Sequence, residues 1–431
     1  MGQVAMDECT KLAEKGHEVT VYTLRYPGRQ TPLRSPLERG KGDFNNITHF
    51  EVVHLRSVVK LGDAGWVPQL LKYLKGFDLV HLHYPFYGGA EWVWLAKIFN
   101  KQKYVVTYHM DAAPTTWFKK LVKWKYDLLL AKLILRGAEK VIAVDRGHFV
   151  KSKFGNKIPA EKVVEIPNGV DTEIFKPMDK PSLLASLPEG EKEIWGNRKV
   201  ILFVGNLLPV KRLDLLIEAL AIIPAHGGVG PQDGGGLAKD VVLVVVGGGY
   251  EEAKYREIVE EKAKPDLTLR PSPQGEGKRD AAPTSLRGEE NRDVVPLSPQ
   301  GERQRVRSVV RFIGSCVDRA KLAKYYNLAT CLVVPSDAES FSLVAIEAMA
   351  CGCPVVASDL PGIRSRIEDG VTGFIFKKGS KDNLVRALEK VLSLNDGVKK
   401  MMVEAGRRKV ISEFGLEQHI NNLNEIYNIS V

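Results

Sequence analysis

The sequence predicts an α/β protein built from two doubly wound domains, each a parallel sheet with helices on both faces. Three observations predict it. The chain has 431 residues with 44% apolar content, too long for one hydrophobic core and normal for a folded globular protein. Short apolar runs of strand type alternate with amphipathic stretches of helical period, the pattern of βαβ units. The alternation stops once, in a polar, proline-bearing segment from Met178 to Arg198, and then restarts.

In the first half, "VAMDECTKLAEKG" has helical apolar spacing and ends at Gly16, a glycine stop. The strands "HEVTVYT", "HFEVVHLR", "DLVHLH", "KYVVTYH", "KVIAV" and "KVVEIP" follow, with helical stretches such as 67–75 and 117–136 between them. In the second half "KVILFVG" leads into a helix over 213–222, "DVVLVVVG" into one from 251, "SVVRFIG" into 318–328 and "CLVVPS" into 342–350; "PVVAS" is followed by a loop and "GFIF". An N-terminal domain is expected over 1–175, with the amphipathic stretch 414–431 packing back on it. A hinge is expected over 176–198 and a C-terminal domain over 199–413. Two segments rich in Gly, Pro and charge, 226–237 and 264–307, are read as disordered insertions, since a connection of about 40 residues far exceeds the usual 2 to 6.

Net charge is +10, which suits nucleic acid, anionic lipid or phosphate ligands. The long insertion carries nearly balanced charge, so nucleic acid is not expected as a partner. Half of the excess lies between Trp117 and Lys140, where seven basic side chains face Asp127 and Glu139. There Trp117, Leu121, Trp124 and Leu128 recur at helical spacing among lysines. An interfacial helix on an anionic membrane surface is weighed against a helix packed on its sheet. Five cysteines without metal spacing read as small buried thiols of a reducing cytoplasm. The N-terminus lacks the apolar core of a signal peptide, and the best apolar run, "DLLLAKLIL", is short and broken by Lys132. The expectation is a cytoplasmic protein, with a peripheral seat on the inner face of the membrane under the lipid reading.

The stretch that carries chemistry is "SDAESFSLVAIEAMACGCPVVAS", residues 336–358, with Glu339 and Glu347 across a strand-to-helix junction. The carboxyl end of a parallel strand is where open α/β sheets bind ligands. Backbone N–H groups of Phe341, Ser342, Leu343 and Val344 would be the unmet donors of the helix start and suit a phosphate. The two carboxylates suit ligand hydroxyls on either side of a diphosphate. For two isolated glutamates, an exposed loop acid and a solvated helix residue would be the ordinary explanation.

The stretch "PSDAESFSLVAIEAMACGCPVVASDLPG" resembles the E-x7-E signature of the retaining GT-B glycosyltransferases, specifically glycosyltransferase family 4. The resemblance runs along nearly the whole chain: "EKGHEVTVYT", "DLVHLH", "VVTYHMD", "IPNGVDTEIFKP", "VGNLLPVKRLDLLIEAL", "VVVGGG" and "EDGVTGF" fall in the family's order. It implies two Rossmann-like domains facing across a cleft, a nucleoside diphosphate sugar donor in the C-terminal domain and an acceptor in the N-terminal one. It implies that Glu339 contacts the transferred sugar, that Glu347 holds the nucleotide ribose, and that the 341–344 amides and Lys211 bind the diphosphate. A fixed ammonium in a dry cleft stabilises charge growing on the leaving phosphate, and Gly205 lets the backbone approach. His109, in "TYHMD", matches the N-domain histidine facing the reacting sugar, against a core histidine at a strand end. Asp111 is an acceptor-side candidate, and His83 reads as structural. No cofactor is expected, and no metal: there is no D-x-D, and the family uses protein cations. A dinucleotide loop at "VVVGGGYEE" would need glycine at Glu252.

The chain departs from the family in places. Asn206 stands where an arginine is common, and Arg212 where a glycine is; Arg212 is expected to supply part of the missing charge. Ser340 and Ser342 stand where glycines are frequent. The family has a first strand and a glycine-rich loop before the helix that begins near Val4, with Gly2 as the remnant of that loop. The N-terminal sheet is therefore expected to lack a central strand. The resemblance implies retaining hexosyl transfer to a hydroxyl of a glycan, lipid-linked or small-molecule acceptor. The alternatives are a nucleotide-sugar epimerase on the same fold and a relative that binds the donor without turnover.

Overall fold

The computed structural model describes residues 2–24, 50–61, 64–110, 117–196, 198–223, 241–262 and 310–431. Both expected insertions and Asp111 lie outside the described residues.

The first helix, Gly2–Glu14, ends at Gly16 with φ +90°. The Gly16 amide donates to the Ala13 carbonyl at 3.0 Å and the His17 amide to Leu12 at 3.1 Å, the paired bonds of a glycine-terminated helix. β1 (Thr20–Leu24) then pairs in parallel with β2 (Glu51–Leu55). β3 (Val59–Leu61) and β4 (Ala64–Trp66) form an antiparallel hairpin absent from the sequence-based expectation. β5 (Val80–Tyr84), β6 (Tyr104–Tyr108), β7 (Val141–Ala143) and β8 (Val163–Glu165) make a parallel sheet in that order. β6 is buried along its whole length because both of its faces are covered. Tyr104, Val106 and Tyr108 pack on the side of helix Ala90–Asn100 and residues Ala131 to Ala138, while Val105 packs on Leu12 and on Leu416, Ile420 and Leu423 of the last helix, Leu416–Ser430.

Among the described residues β1 and β2 form a sheet separate from that of β5 to β8. A cavity of about 2580 Å³ lies between them, lined by Val19 to Leu24 on one side and Leu79 to His83 on the other. It reaches across to the C-terminal domain.

That domain holds β9 (Lys199–Val204), β10 (Val241–Val246), β11 (Val310–Gly314), β12 (Cys331–Val334), β13 (Val355–Ser358) and β14 (Phe374–Phe376). All pairs are parallel, in the order β11-β10-β9-β12-β13-β14. Its first strand is thus in the middle, and the winding reverses between β9 and β12, the place where such sheets open a binding crevice. β10, "VVLVVV", is buried at every position: a continuous apolar run is what a strand covered on both faces requires.

The chain crosses between domains twice at one place. Val170 N–H donates to Phe414 O at 2.8 Å and Leu416 N–H to Val170 O at 3.0 Å. The segment 176–198, expected as a hinge, contains helices Lys180–Ala185 and Glu189–Trp195 packed on the C-terminal domain. Trp195 is fully buried and stacks on Tyr325 at 5.2 Å. Polar residues dominate that segment, but Leu183 and Trp195 are buried in the core, with Met178, Leu184, Leu187 and Ile194 packed against it. The helical stretch expected over 117–136 runs from Trp117 to Gly137 with one π turn at Asp127–Ala131. The five cysteines are free thiols, and Cys331, Cys351 and Cys353 are buried. No helix among the described residues is long and apolar enough to cross a membrane.

Candidate active site

Two loops meet at the reversal of the C-terminal sheet. The one after β9 runs through Gly205 and Asn206 to a 3-10 turn at Pro209–Lys211, and the one after β12 runs from Ser336 to Ser342. Asp337 N–H donates to Val210 O at 2.8 Å and ties them together. Lys211 Nζ forms a close ion pair with Glu339 Oε1, and the Ser336 hydroxyl donates to the same oxygen at 2.9 Å. Glu339 is therefore a nearly buried, oriented acid rather than a free loop carboxylate. Arg212 lies beside this pair but is engaged elsewhere, with Nε 3.1 Å from Asp214 Oδ2 and Nη1 3.2 Å from Asp337 Oδ2. Two carboxylates already match its charge, which makes it a brace between the loops.

The substitutions for glycine have a conformational reading. Arg212 has φ +52° and Ser342 φ +64°, both in the left-handed region where a Cβ is disfavoured. The buried Ser342 hydroxyl has no hydrogen-bond partner to offset this. Ser342→Gly is therefore expected to stabilise the protein by about 1 kcal/mol, read as a higher midpoint in urea. An unchanged or lower midpoint would show that the serine carries no strain. Ser340, the other such position, has no left-handed backbone.

Helix Leu343–Ala350 begins at Ser342, which makes no side-chain cap bond, so its first-turn amides keep the unmet donors of a helix start. Phe341 is buried under the Arg366 guanidinium, 4.1 Å from its ring centre, and meets Phe414 edge-on at 5.8 Å. Leu343 and Val344 are half-buried against the core. Gly362 fixes the acid loop from behind: a Cβ there would lie 2.5 Å from Glu339 O and 2.6 Å from Ser340 O.

Glu347 faces the interdomain cavity at 8% exposure and accepts a hydrogen bond from the Tyr326 hydroxyl at 2.9 Å. Burial pushes its carboxyl up to about 7, against the pull of Arg319 and Tyr326. Folded Glu347 thus keeps a proton that the unfolded chain releases near pH 4.5. Its contribution to stability is full below that pH and is lost as pH rises to about 7, a change on the order of 3 kcal/mol. Glu347→Gln is expected to flatten this fall in ligand-free unfolding curves; an identical slope in both proteins would contradict it. The same cavity is lined by Asn206, Leu208, Tyr250, Ser315 and Arg319 from the C-terminal domain and by Met110 from the N-terminal one, while Lys211 and Glu339 stand outside its lining.

His109, at the end of β6, is 6% exposed, with Nε2 2.9 Å from His83 Nδ1, and burial holds it well below the usual histidine range. It belongs to a network on the N-terminal side and makes no hydrogen bond to the Lys211–Glu339 pair. Gly2, expected as the remnant of a loop, is instead the first residue of a helix, and it lines the cavity. Gly205 has φ +151° and space on its Cβ side, consistent with a close backbone approach.

Sequence patterns gave no sign of several residues that hold these groups. Arg319 joins Asp7 across the domains at 2.6 Å. Arg366 pairs with Asp145 of the N-terminal domain, and its Nη2 donates to Val144 O at 2.8 Å. In each case the partner lies hundreds of positions away, beyond the reach of local periodicity.

Comparison with known proteins agrees with this architecture. Residues 1–174 match the model of Glycosyltransferase Family 4, and residues 189–268 and 297–409 that of Glycosyl transferases group 1. A D-inositol 3-phosphate glycosyltransferase of Actinosynnema mirum is 26% identical over 407 residues, covering 91% of this chain and 83% of the relative. One of Kribbella flavida is 30% identical over 281 residues, covering 64% and 54%, so the chain spans about half the length of that relative. Among solved structures, HepE of Anabaena in complex with UDP and glucose has a TM-score of 0.67 at 17% identity, covering 99% of this chain and 95% of that one. Sucrose-phosphate synthase of Thermosynechococcus elongatus has a TM-score of 0.63 at 21% identity, covering 98% and 92%. The chain belongs to the family 4 glycosyltransferases, transferases whose two domains adopt the GT-B fold.

Proposed function

We propose that the protein transfers a hexosyl group from a nucleoside diphosphate sugar to an acceptor hydroxyl with retention at the anomeric carbon. One observation carries this reading: the Lys211–Glu339 pair lies beside a helix start at the reversal of the C-terminal sheet, while Glu347 of that helix faces the cavity. The helix amides of 341–344 and the Lys211 ammonium offer the positive charge that a departing diphosphate needs, so no divalent ion is required in this scheme. Lys211 would exchange its contact with Glu339 for the diphosphate, leaving Glu339 to accept hydrogen bonds from sugar hydroxyls. Glu347 would hold the ribose diol. His109 and Asp111 are assigned to the acceptor side, with His109 orienting the two substrates. No side chain is assigned as a covalent nucleophile, so attack and departure take place on the same face of the sugar. The presence of UDP, glucose and UDP-glucose in complexes of HepE supports the donor class. The relatives' name keeps a phosphorylated polyol among the acceptors to be tested, beside glycans and lipid-linked carriers.

A thermal-shift screen against UDP, GDP and ADP sugars tests donor binding, since a ligand at 100 times its Kd adds about 2.7 kcal/mol. Proton NMR of the product then reads the anomeric configuration. Inversion would overturn retention, and free nucleotide released without any acceptor product would favour an epimerase.

An anionic membrane surface is the proposed seat of the enzyme during transfer. Trp117, Trp124, Leu128 and Leu129 are 76%, 56%, 58% and 63% exposed, so these four side chains are not spent on the sheet, which Ile134 and Leu135 cover further along the stretch. Exposed tryptophan and leucine among lysines suit a headgroup boundary. Flotation with anionic vesicles but not with zwitterionic ones is expected; equal recovery with both would remove the proposal.

A further inference from the structure

The N-terminal wall of the cavity carries a cluster that donor binding does not use. His81 and His83 alternate along β5, so both side chains leave the same face of the strand, with rings stacked at 4.5 Å. Glu8 of the first helix, 2% exposed, reaches over them. Its Oε2 lies 3.2 Å from His83 Nε2 and 3.9 Å from His81 Nδ1, and one donor atom from each of the three residues lies within 4.8 Å of the others. A tetrahedral ion with ligand bonds of about 2.0 to 2.2 Å holds its donors roughly 3.3 Å apart, so small side-chain rotations close the set.

The outer contacts are those that ligands need. His83 Nδ1 meets His109 Nε2 at 2.9 Å, and His81 Nε2 meets the Thr107 hydroxyl at 2.6 Å. Each ring thus has one nitrogen oriented by a partner and the other turned toward Glu8, an arrangement that fixes the tautomer of a metal ligand. The second carboxylate oxygen is held in turn: Glu8 Oε1 is 2.9 Å from His419 Nε2. His419 Nδ1 is 2.7 Å from Pro167 O, a group that only accepts, so the proton on that side is fixed. Without an ion, a proton on His83 Nε2 meets Glu8 Oε2 and the Tyr427 hydroxyl donates to His81 Nδ1 at 2.6 Å, while the His419 Nε2–Glu8 Oε1 contact takes a second proton beside the one on His419 Nδ1.

We propose that Glu8, His81 and His83 bind a divalent transition-metal ion of the zinc type, with a fourth position open to the interdomain cavity. Two imidazoles and one carboxylate suit zinc, cobalt or nickel rather than magnesium or calcium, which take oxygen ligands. Binding displaces the His83 Nε2 proton to solvent and turns the Tyr427 hydroxyl aside. The three ligands of the site all belong to the N-terminal side of the cavity, and the proposal does not depend on the donor reading.

The test uses the tag-free full chain, stripped with chelator and titrated with zinc chloride and with cobalt chloride. One equivalent of zinc is expected to bind and raise the Tm, and cobalt to give the intense visible bands of a four-coordinate ion. His83→Ala, at a partly exposed position, is expected to weaken binding by at least about tenfold, while replacement of the exposed His54 leaves it unchanged. Equal binding by wild type and His83→Ala overturns the site. Should that variant fail to fold, the wild-type cobalt spectrum decides alone: no stoichiometric binding, or only the weak bands of a six-coordinate ion, ends the proposal.

Discussion

Replacing Lys211 by alanine is expected to lower kcat by about 100- to 1,000-fold, the usual effect of removing one fixed donor from developing negative charge. The expectation rests on where the ammonium stands. Lys211 ends a short turn tied to the acid loop by the Asp337–Val210 bond, and its partner Glu339 is 9% exposed. The charge is thus held in a partly dry site, where it acts more strongly than in water. In the proposed transfer it is most needed once the glycosidic bond has begun to break, so the loss should fall on kcat more than on the donor KM. Lys211→Arg keeps the charge but not the compact point geometry and should recover only part of the rate. Steady-state kinetics with a saturating acceptor, beside Tm values showing that the variants fold, make the comparison. A fall in kcat of less than tenfold for the alanine variant would remove Lys211 from the reaction.

The second large effect concerns the tie between domains. Arg366 is 1% exposed and pairs with Asp145, 4% exposed, which caps helix Arg146–Lys151 and also accepts from the Ser365 hydroxyl at 2.7 Å. The same guanidinium lies over Phe341, next to the left-handed Ser342. Arg366→Leu would leave a buried carboxylate without its counter-charge, which costs about 3 to 5 kcal/mol. The double replacement Asp145→Leu with Arg366→Leu should recover much of that loss, because a buried ion pair adds little over apolar side chains of similar volume. Urea unfolding of the two singles and the double measures the coupling. A double variant as unstable as the sum of the singles would show that the two residues act independently.

Much of the loop after β12 is legible in the sequence. The run "CLVV" followed by helical spacing placed Glu339 and Glu347 around a strand-to-helix junction, and the structure has β12 and helix Leu343–Ala350 there. What the pattern did not contain was the state of each acid. Glu347 reads locally as a helix residue of ordinary exposure, yet Tyr326 and the facing N-terminal domain bury it. Arg212 read as a spare cation and is held by Asp214 and Asp337. The segment 176–198 reads as a hinge because it is polar and proline-bearing; the partner of its buried Trp195, Tyr325, lies far along the chain.

The sequence by itself determined most of the strands and helices and their alternation, because apolar spacing of two or of 3.6 residues depends only on which side of an element must be dry. It also determined the family, through motifs that keep their order along the chain. Only the tertiary structure decided which charges meet. Glu8 and His419 are 411 positions apart and Asp145 and Arg366 are 221 apart, and no local period records such a pairing. Those contacts exist because the packing of two domains and the returning last helix brings distant parts of the chain together, where each buried charge must find a partner or lose its charge.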